Sequence, residues 1–453
     1  MSILWIVGLP LAGALVVLVV REVRLLATIL TTATLVTMAI LCLAQRQAEA
    51  MMLLGRSLSL SPQEAVGLAF CAVLLAALTL YSQSIAPGPL AYPLTLGAMA
   101  LFAAATMIRN LAISGLLLEM GAMVAVMLIP AKRPGTAMTG MRALVLLALA
   151  GPLLLLAAWA MESRAVDPAN ALLVRIGGLS LIVALGIGLA VVPFHVWLPP
   201  IFRDGSPLAV VVLSVVLNVT LVLLLRSVTQ TSLWSGGVEF FSTLLLFGGM
   251  ATVLVGGGMA LGATSLSRAL AFAALADLGL VLIGLGLNTP SSLDAATFQV
   301  VYRGLGIATV SMSLGIIQHC LGGDEFWRLR GAMRRTPLAI LGLVLGGFSL
   351  AGLPLTAGFT SHLLLYQALA SQRPDWAMLV MAGSVGPAWA FVRCAIGALV
   401  PVPTSAGQRE PLLAGLVVVF FSLLLFALGA YPRLLALIPW ESLGISLQAL
   451  LGL

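Results

Sequence analysis

Four side chains that can carry a proton lie inside long apolar stretches of this sequence. They are Glu119, His195, Asp277 and His362, and Arg303 lies in a similar setting. Carboxyl and imidazole groups take up and release protons. An arginine keeps its charge and changes the proton affinity of neighbouring groups. Ionisable residues within membrane spans are costly and commonly mark a pathway for protons or ions. These residue types therefore predict proton movement within a membrane.

Each candidate also has a structural interpretation. Asp277 and Arg303 would form an ion pair that only holds two helices together. His195 follows Pro193 by two residues, so its imidazole would hold a kink in place by hydrogen bonding. For Glu119 and His362 we favour a role in proton transfer, because an isolated ionisable group inside a span has no evident structural purpose.

Two apolar stretches are interrupted by proline with glycine nearby, at Pro193 within 171–197 and at Pro354 within 337–371. Proline removes a backbone donor and clashes with the preceding turn, and in lipid the freed carbonyls need partners inside the protein. The two stretches lie five helices apart in the predicted series. Paired interrupted helices are typical of inverted repeats around a midplane site. Two unrelated kinks are the alternative.

The composition predicts an all-α polytopic membrane protein. The chain has 453 residues, of which 61% are hydrophobic and 8% are charged. Because about 20 apolar residues cross a bilayer, we predict about fourteen transmembrane helices joined by short links. The first is interpreted as a membrane span and not as a cleaved signal, and the tail 433–453 as interfacial. The predicted spans are 2–20, 25–45, 63–82, 92–108, 111–130, 141–161, 171–197, 206–226, 240–262, 266–288, 297–319, 337–371, 376–400 and 411–431.

Several classes of site are not supported by the sequence. It contains neither a CxxC pair nor a nucleotide-binding glycine motif, so we predict no metal and no cofactor. The net charge of +7 comes mostly from arginines in predicted loops, which predicts contact with lipid headgroups and no nucleic-acid partner. The cysteines are expected to pack as small apolar residues, and they are Cys42, Cys71, Cys320 and Cys394.

Loop charge predicts the orientation in the membrane. Basic residues are more numerous in the loops that follow odd-numbered spans, and a cluster of arginines occupies 328–335. Positively charged loops face the cytoplasm. Both chain termini are therefore predicted on the non-cytoplasmic side.

Three motifs and one glutamate carry a resemblance to a known family. The motifs are PFHVWLP at 193–199, SRALAF at 267–272 and GLPLTAGF at 352–359, and the glutamate is Glu119. Together they resemble the large antiporter-like membrane subunits of respiratory complex I, of membrane-bound hydrogenases and of cation/proton antiporter complexes. The resemblance covers spans four to thirteen in order.

The resemblance implies a particular organisation and setting. It implies fourteen helices, two inverted five-helix repeats with broken helices seven and twelve, and ionisable residues along the membrane midplane. The expected segments are an N-terminal three-helix segment over 1–90, repeats over 91–230 and 231–400, and a C-terminal segment over 401–453. The implied partners are other membrane subunits, peripheral redox or hydrogenase-like subunits and lipids, in a bacterial-type inner membrane. The chain itself would hold no catalytic centre.

The sequence departs from this family in its lysines. It contains one lysine, Lys132, which falls in a predicted loop, whereas the family's relay uses lysines within its spans. By motif spacing Gly188, Asn218 and His362 stand at those positions. Glu119 has therefore lost the partner that the family provides, and an asparagine binds water without titrating.

These observations leave three functions open. The first is a proton- or ion-translocating subunit of a complex-I-like assembly with an altered relay. The second is the proton-conducting subunit of an inorganic-carbon uptake complex. The third is a structural scaffold whose channel has been lost. Redox or hydrogenase-like partners would favour the first, a carbonic-anhydrase-like partner the second, and a dry gap at Gly188 and Asn218 the third.

Overall fold

The computed structural model describes residues 2–45, 50–53, 55–129, 136–167, 170–229, 238–401 and 409–431. Lys132 and the predicted interfacial tail 433–453 lie outside the described residues. Helices dominate the described residues. In lipid a helix satisfies its backbone donors and acceptors within its own segment, so apolar sequence of this kind folds as helices.

The helices follow one another along the chain with short connections. Up to residue 229 they are α1 (Trp5–Val19), α2 (Arg24–Ala44), α3 (Pro62–Tyr81), α4 (Ala91–Met107), α5 (Leu111–Val126), α6 (Thr136–Ala148), α7 (Ala150–Val166), α8 (Ala171–Gly188), α9 (Leu198–Asp204), α10 (Pro207–Val211) and α11 (Leu217–Thr229). They continue as α12 (Val238–Leu261), α13 (Leu266–Leu287), α14 (Pro290–Leu321), α15 (Ala332–Arg335), α16 (Pro337–Leu350), α17 (Ala357–Gln372), α18 (Pro374–Leu399) and α19 (Leu412–Ala430).

The helices confirm a multi-pass membrane protein. Within the described residues, ten helical segments of at least 18 residues are apolar enough to cross a membrane. In that set α6 and α7 form one segment, and α10 and α11 form another. Four further apolar helices, α1, α4, α5 and α16, are shorter. The number of fourteen crossings stays a prediction.

The chain divides into two compact units. The first unit consists of Met1–Thr79 and Pro87–Leu244, and the second of Leu80–Ala86 and Leu245–Leu453. The predicted repeats 91–230 and 231–400, and their inverted relation, stay predictions.

In the first unit the segment formed by α10 and α11 is the most enclosed. Of the residues in an 18-residue stretch of this segment, 94% are buried. A π-helical turn, Val212–Val216, separates the two helices. Helix α4 packs against α1 and α5, and α7 packs against α5 and α8. The segment formed by α10 and α11 therefore contacts other helices, and not lipid, along most of its length.

In the second unit α13 is the central helix. Every residue of α13 except Arg268 is buried. Helices α14, α16, α17 and α18 pack against it. Any polar side chain in the middle of α13 is therefore held away from lipid by other helices.

A short β-hairpin lies between α2 and α3, in a fold predicted to be all-α. Strand β1 (Met51–Leu53) pairs antiparallel with β2 (Arg56–Leu58). The turn contains Gly55 at φ +75°, a conformation that glycine adopts without strain. Leu58 forms a further bridge to Ile108, so the hairpin is tied to the end of α4.

Both predicted broken helices are confirmed. Helix α8 ends at Gly188, and a 3-10 turn, Phe194–Trp197, follows the proline. The Trp197 indole N–H donates to the Ile187 carbonyl at 2.9 Å, which gives one carbonyl at the break a partner. The second break separates α16 from α17 and contains Pro354.

Candidate functional site

Asp277 and His362 meet in the interior of the second unit. Asp277 lies on α13 and is 1% exposed, and His362 lies on α17 and is 2% exposed. The imidazole Nε2 is 2.7 Å from Asp277 Oδ1. A proton can pass between a carboxylate and an imidazole at that distance, which is within the range for general acid–base chemistry.

Arg303 on α14 supplies a fixed positive charge beside this pair. Its Nε lies 3.7 Å from Asp277 Oδ2, and both groups are buried. The guanidinium is held by the Ala274 carbonyl, which accepts from Nε at 3.3 Å and from Nη2 at 3.1 Å. The predicted ion pair is thus present, and it is longer than the contact with His362. Because arginine retains its proton, the transferable proton belongs to Asp277 and His362.

Two neutral side chains extend the hydrogen bonding from Asp277 Oδ1, while Oδ2 has no hydrogen-bond partner among the described residues. The Gln299 amide donates to Asp277 Oδ1, and Ser361 donates through its hydroxyl to Gln299 Oε1. Gln299 and Ser361 are both fully buried. Gln299 precedes Arg303 by one turn of α14, so the two side chains share a face of that helix. The sequence offers no signal for this role, because a buried amide is also an ordinary helix-packing residue.

Glycines in the second helix break make room for the imidazole. Gly352 has φ +69°, a conformation that residues with a Cβ adopt only at a cost. A Cβ built on Gly352 would collide with His362 Nδ1. Gly358, at the start of α17, approaches the Ser349 carbonyl so closely that a Cβ would collide with it. The two glycines of the GLPLTAGF segment therefore leave the space that the His362 ring and the close helix contact need.

The first unit places Glu119 in a different environment. Glu119 lies on α5 and is half-buried. Its carboxylate occupies the space next to Gly151 of α7, where a Cβ would collide with it. Among the described residues it has neither a hydrogen-bond nor an ion-pair partner. The fold thus provides space for this carboxylate, and the described part of the chain provides no counter-ion for it.

The two positions predicted to replace lysines in the first unit are both enclosed. A Cβ on Gly188 would lie 2.9 Å from Leu221 Cδ1, so an apolar side chain already fills that space. Asn218 is 3% exposed, and its Oδ1 has no hydrogen-bond partner among the described residues. It directly follows the π-helical turn and Leu217. Such turns are frequent at functional sites.

His195 lies in the 3-10 turn after Pro193 and is half-buried. Its Nδ1 is buried and has no partner in the described stretches of the chain. No hydrogen bond or ion pair there joins His195, Glu119 or Asn218 to another candidate. The structure thus brings together Asp277 and its neighbours and leaves the three first-unit candidates separate.

A second charged cluster, absent from the predicted sites, lies in the first unit. Arg109 donates from Nη1 and Nη2 to the two oxygens of Glu64, both at 2.6 Å. Its Nε donates to Ser59 Oγ at 2.6 Å and its Nη1 to Ser227 Oγ at 3.0 Å. Glu64 also accepts from the Ser61 backbone N–H at the start of α3. This arrangement ties the hairpin, α3, α4 and α11 together.

The described residues contain no group of three or more histidine, cysteine, aspartate or glutamate side chains placed to hold a metal ion. The Asp277 site contains one carboxylate and one imidazole, which is too few ligands for a metal centre of its own. Its donor set fits proton exchange between two groups beside a fixed charge.

Residues 109–386, more than half of the chain, match the family described as NADH:quinone oxidoreductase/Mrp antiporter, transmembrane. The chain belongs to this family. The matched region contains all six candidate side chains and both helix breaks. The resemblance predicted from the three motifs is therefore confirmed.

Individual members of the family match over a shorter length. NADH-quinone oxidoreductase subunit N of Desulfovibrio desulfuricans is 32% identical over 224 residues, 46% of this chain and 43% of that protein. Subunit N of Rhodopseudomonas palustris is 33% identical over 227 residues, 48% of this chain and 46% of that protein. The matches thus span about half the length of these relatives.

Solved structures of three complexes contain chains with the same fold. A chain of the Mrp complex from Dietzia sp. DQ12-45-1b has a TM-score of 0.84 at 19% identity, covering 100% of this chain and 97% of that one. A chain of respiratory complex I from Thermus thermophilus has 0.82 at 18% identity, covering 98% and 97%. A chain of an archaeal membrane-bound sulfane sulfur reductase has 0.83 at 19% identity, covering 99% and 97%. At these identities the likeness establishes the antiporter-like subunit fold alone.

Proposed function

We propose that this family member is a proton-translocating membrane subunit of a complex-I-like oxidoreductase assembly. Its relay is built without lysine, and its protonation site is the Asp277–His362 pair of the second unit. The relatives named as NADH-quinone oxidoreductase subunits support the type of assembly. Partners of this kind would be other membrane subunits and peripheral redox subunits, with the driving reaction on those chains.

The observation that carries the proposal is the 2.7 Å contact between Asp277 and His362 inside a closed helical bundle. A carboxylate and an imidazole at this distance can exchange a proton, and in a low-dielectric interior a neighbouring charge acts strongly on that exchange. Arg303 balances the charge of Asp277, so a proton added to His362 becomes the excess charge that moves. In this proposal the imidazole of His362 takes the place of the lysine that the family uses.

Two observations favour the scaffold alternative for the first unit. Leu221 occupies the space beside Gly188, and Glu119 has no cationic partner among the described residues. A carboxylate with no proton-accepting group within hydrogen-bond reach has no neighbour to which it can pass a proton. We therefore place proton transfer in the second unit. Glu119, His195 and Asn218 of the first unit would be remnants of a former relay.

The test is proton flux through the full chain in proteoliposomes that contain a pH-sensitive dye, driven by a potassium diffusion potential. We expect Asp277→Asn to reduce the flux at least tenfold, because an amide neither binds nor releases the proton. Asp324→Asn is the matched control. Asp324 is a buried carboxylate of the same unit that accepts from the Ser267 backbone N–H, and the asparagine oxygen can accept that bond.

Equal flux in wild type and Asp277→Asn would overturn this assignment. A further measurement separates the types of assembly, namely the chains that co-purify with this subunit. Redox subunits would support the proposal, and a zinc-binding carbonic-anhydrase-like chain would favour the inorganic-carbon alternative.

The placement in the cell belongs to the same proposal. The bacterial subunit N relatives support a bacterial-type inner membrane. The excess of arginine in the predicted odd-numbered loops supports both termini on the non-cytoplasmic side. Labelling of a cysteine introduced at Ser2 from one side of intact vesicles tests this orientation.

A further inference from the structure

The oxygen of Asp277 that His362 contacts also accepts a hydrogen bond from Gln299. The His362 Nε2 lies 2.7 Å from Asp277 Oδ1, and the Gln299 amide nitrogen donates to the same Oδ1. Gln299 lies on α14 and His362 on α17, so the two groups reach Oδ1 from different helices. The amide is therefore placed to influence any proton that Asp277 and His362 share.

Ser361 determines which end of the amide faces Asp277. An amide side chain can present either its NH2 group or its carbonyl oxygen to a neighbour. The Ser361 hydroxyl donates to Gln299 Oε1, which leaves the amide nitrogen on the side of Asp277. In the reversed orientation two oxygens would face each other, and only a protonated carboxyl group could bridge them. The observed orientation thus fits an ionised Asp277.

The other charged groups around the pair are few. Arg303 directs its Nε toward Asp277 Oδ2 at 3.7 Å. On the far side of the imidazole, the Tyr366 hydroxyl lies 3.5 Å from Nδ1, and a tyrosine is uncharged at neutral pH. Helix α16 carries no ionisable side chain, and α18 carries its ionisable residues in its first turn and its last two turns. Arg303 is therefore the fixed charge beside the pair.

Once the pair has taken up a proton, it can exist in two forms. In the charged form Asp277 is ionised and His362 carries a proton on each nitrogen. In the neutral form the Nε2–H bond has broken and that proton is bound to Asp277 Oδ1, while His362 keeps the proton on Nδ1. The step moves one proton along one hydrogen bond. A donor to Oδ1 stabilises the ionised carboxylate, so the Gln299 amide favours the charged form.

The two forms differ in where the excess positive charge lies. In the charged form Asp277 balances Arg303, and the excess charge is on His362, which can release its proton. In the neutral form the unbalanced charge is on Arg303, which keeps its proton. Proton translocation by this pair therefore requires the charged form.

We propose that Gln299 and Ser361 are positioning residues that keep the added proton on His362 as a charged imidazolium. This inference rests on the proposed function of Asp277 and His362. It adds two uncharged side chains that neither the charge pattern nor the family motifs single out. Both are 0% exposed, so bulk water does not compete for their hydrogen bonds.

Three variants remove or retain the interaction. Gln299→Met removes the donor and keeps an unbranched side chain of similar length. Because a hydrogen bond to a charged group changes such an equilibrium by about tenfold or more, we expect about a tenfold shift toward the neutral form. Ser361→Ala removes the hydroxyl that orients the amide and should cause a smaller shift in the same direction. Ser361→Thr keeps the hydroxyl and should behave as the wild type.

The nitrogen resonances of the imidazole show where the proton lies. The chain has only three histidines, so variants at His195 and His319 assign the signals of His362 in protein labelled with 15N-histidine and reconstituted in proteoliposomes. After acidification we expect both nitrogens of wild-type His362 to resonate as protonated nitrogens. In Gln299→Met the Nε2 resonance should move toward that of an unprotonated nitrogen, while Nδ1 stays protonated.

Gln318→Met is the matched control. Gln318 is a half-buried glutamine near the C-terminal end of the same helix, α14. Its replacement should leave both resonances of His362 unchanged. Displacement of the ring from Asp277 has a different signature, because an imidazole that has lost its carboxylate partner changes at both nitrogens.

Proton flux in the proteoliposome assay connects the position of the proton to transport. We expect Gln299→Met to reduce the flux severalfold and Gln318→Met to leave it unchanged. If Asp277→Asn blocks flux while Nε2 of Gln299→Met stays protonated, the protonation site stands and the role of Gln299 is wrong. If Asp277→Asn conducts normally, the proposed function fails and the role of Gln299 in transport fails with it.

Two further results would overturn the inference. The first is an unprotonated Nε2 in the acidified wild type, since the proton would then already lie on Asp277. The second is a change at both nitrogens in Gln299→Met, or an equal change in Gln318→Met, since either would show a structural effect of the substitution.

Discussion

The ion pair between Glu64 and Arg109 allows a quantitative prediction about the first unit. Glu64 is 3% exposed, and both of its oxygens lie 2.6 Å from the guanidinium. Replacing Arg109 by methionine leaves a buried carboxylate with one remaining donor among the described residues, the Ser61 backbone N–H. Breaking a buried pair in this way costs about 3–5 kcal/mol. Because the Arg109 side chain is 26% exposed and water can partly replace it, we expect about 3 kcal/mol.

Cys71 reports this loss directly, because it lies on α3, the helix that carries Glu64, and is 1% exposed. Its reaction with a thiol reagent under native conditions measures how often α3 opens. A loss of about 3 kcal/mol corresponds to roughly a hundredfold increase in the labelling rate. Cys394 is fully buried in the second unit and serves as the control in a variant that retains only that cysteine. Its labelling rate should stay unchanged.

A second substitution identifies the charge as the cause. Glu64→Gln removes the buried charge, so the Glu64→Gln/Arg109→Met double variant should label Cys71 more slowly than Arg109→Met alone. If Arg109→Met does not accelerate labelling, or if the double variant labels as fast as Arg109→Met, the pair does not stabilise α3 through its charges.

Two further changes test the helix breaks. Gly352→Ala should displace His362 from Asp277 and reduce proton flux as Asp277→Asn does, whereas Gly258→Ala, whose Cβ would have no neighbour within 4 Å, should leave flux and thermal stability unchanged. Normal flux in Gly352→Ala would contradict the role of that glycine. Trp197→Phe removes the donor to the carbonyl at the first break and should lower the stability by about 1–3 kcal/mol, measured as a lower midpoint of thermal unfolding in detergent; an unchanged midpoint would show that the bond contributes nothing.

The sequence predicts both the helical architecture and the two helix breaks. In lipid a long apolar stretch is stable as a helix. Pro193 and Pro354, each with glycine nearby, interrupt such a helix, whereas Pro10 and Pro387 lie inside the continuous helices α1 and α18. The pairing of Asp277 with Arg303 is also predictable, because a charge inside a membrane span is stabilised by an opposite charge nearby. These features depend on local chemistry.

The partners of Asp277 could not all be predicted. His362 is 85 positions away in the chain, and its contact with Asp277 depends on how α17 packs on α13. Gln299 carries no charge, so nothing in its neighbourhood distinguishes it from a packing residue. Similarly, the space left by the glycine at position 188 is filled by Leu221, and the sequence does not show which neighbour would enter.

Helix α14 is longer than a bilayer requires. Its 32 residues extend about 48 Å, whereas the hydrocarbon core is about 30 Å thick. Helix α13, with 22 residues, matches that thickness more closely. Gln299 and Arg303 thus lie on a helix that must tilt or extend beyond the hydrocarbon core, and Asp277 lies on one that need not. Lipids with shorter acyl chains would tilt α14 further, so bilayer thickness would act on the same hydrogen bonds that hold the proton.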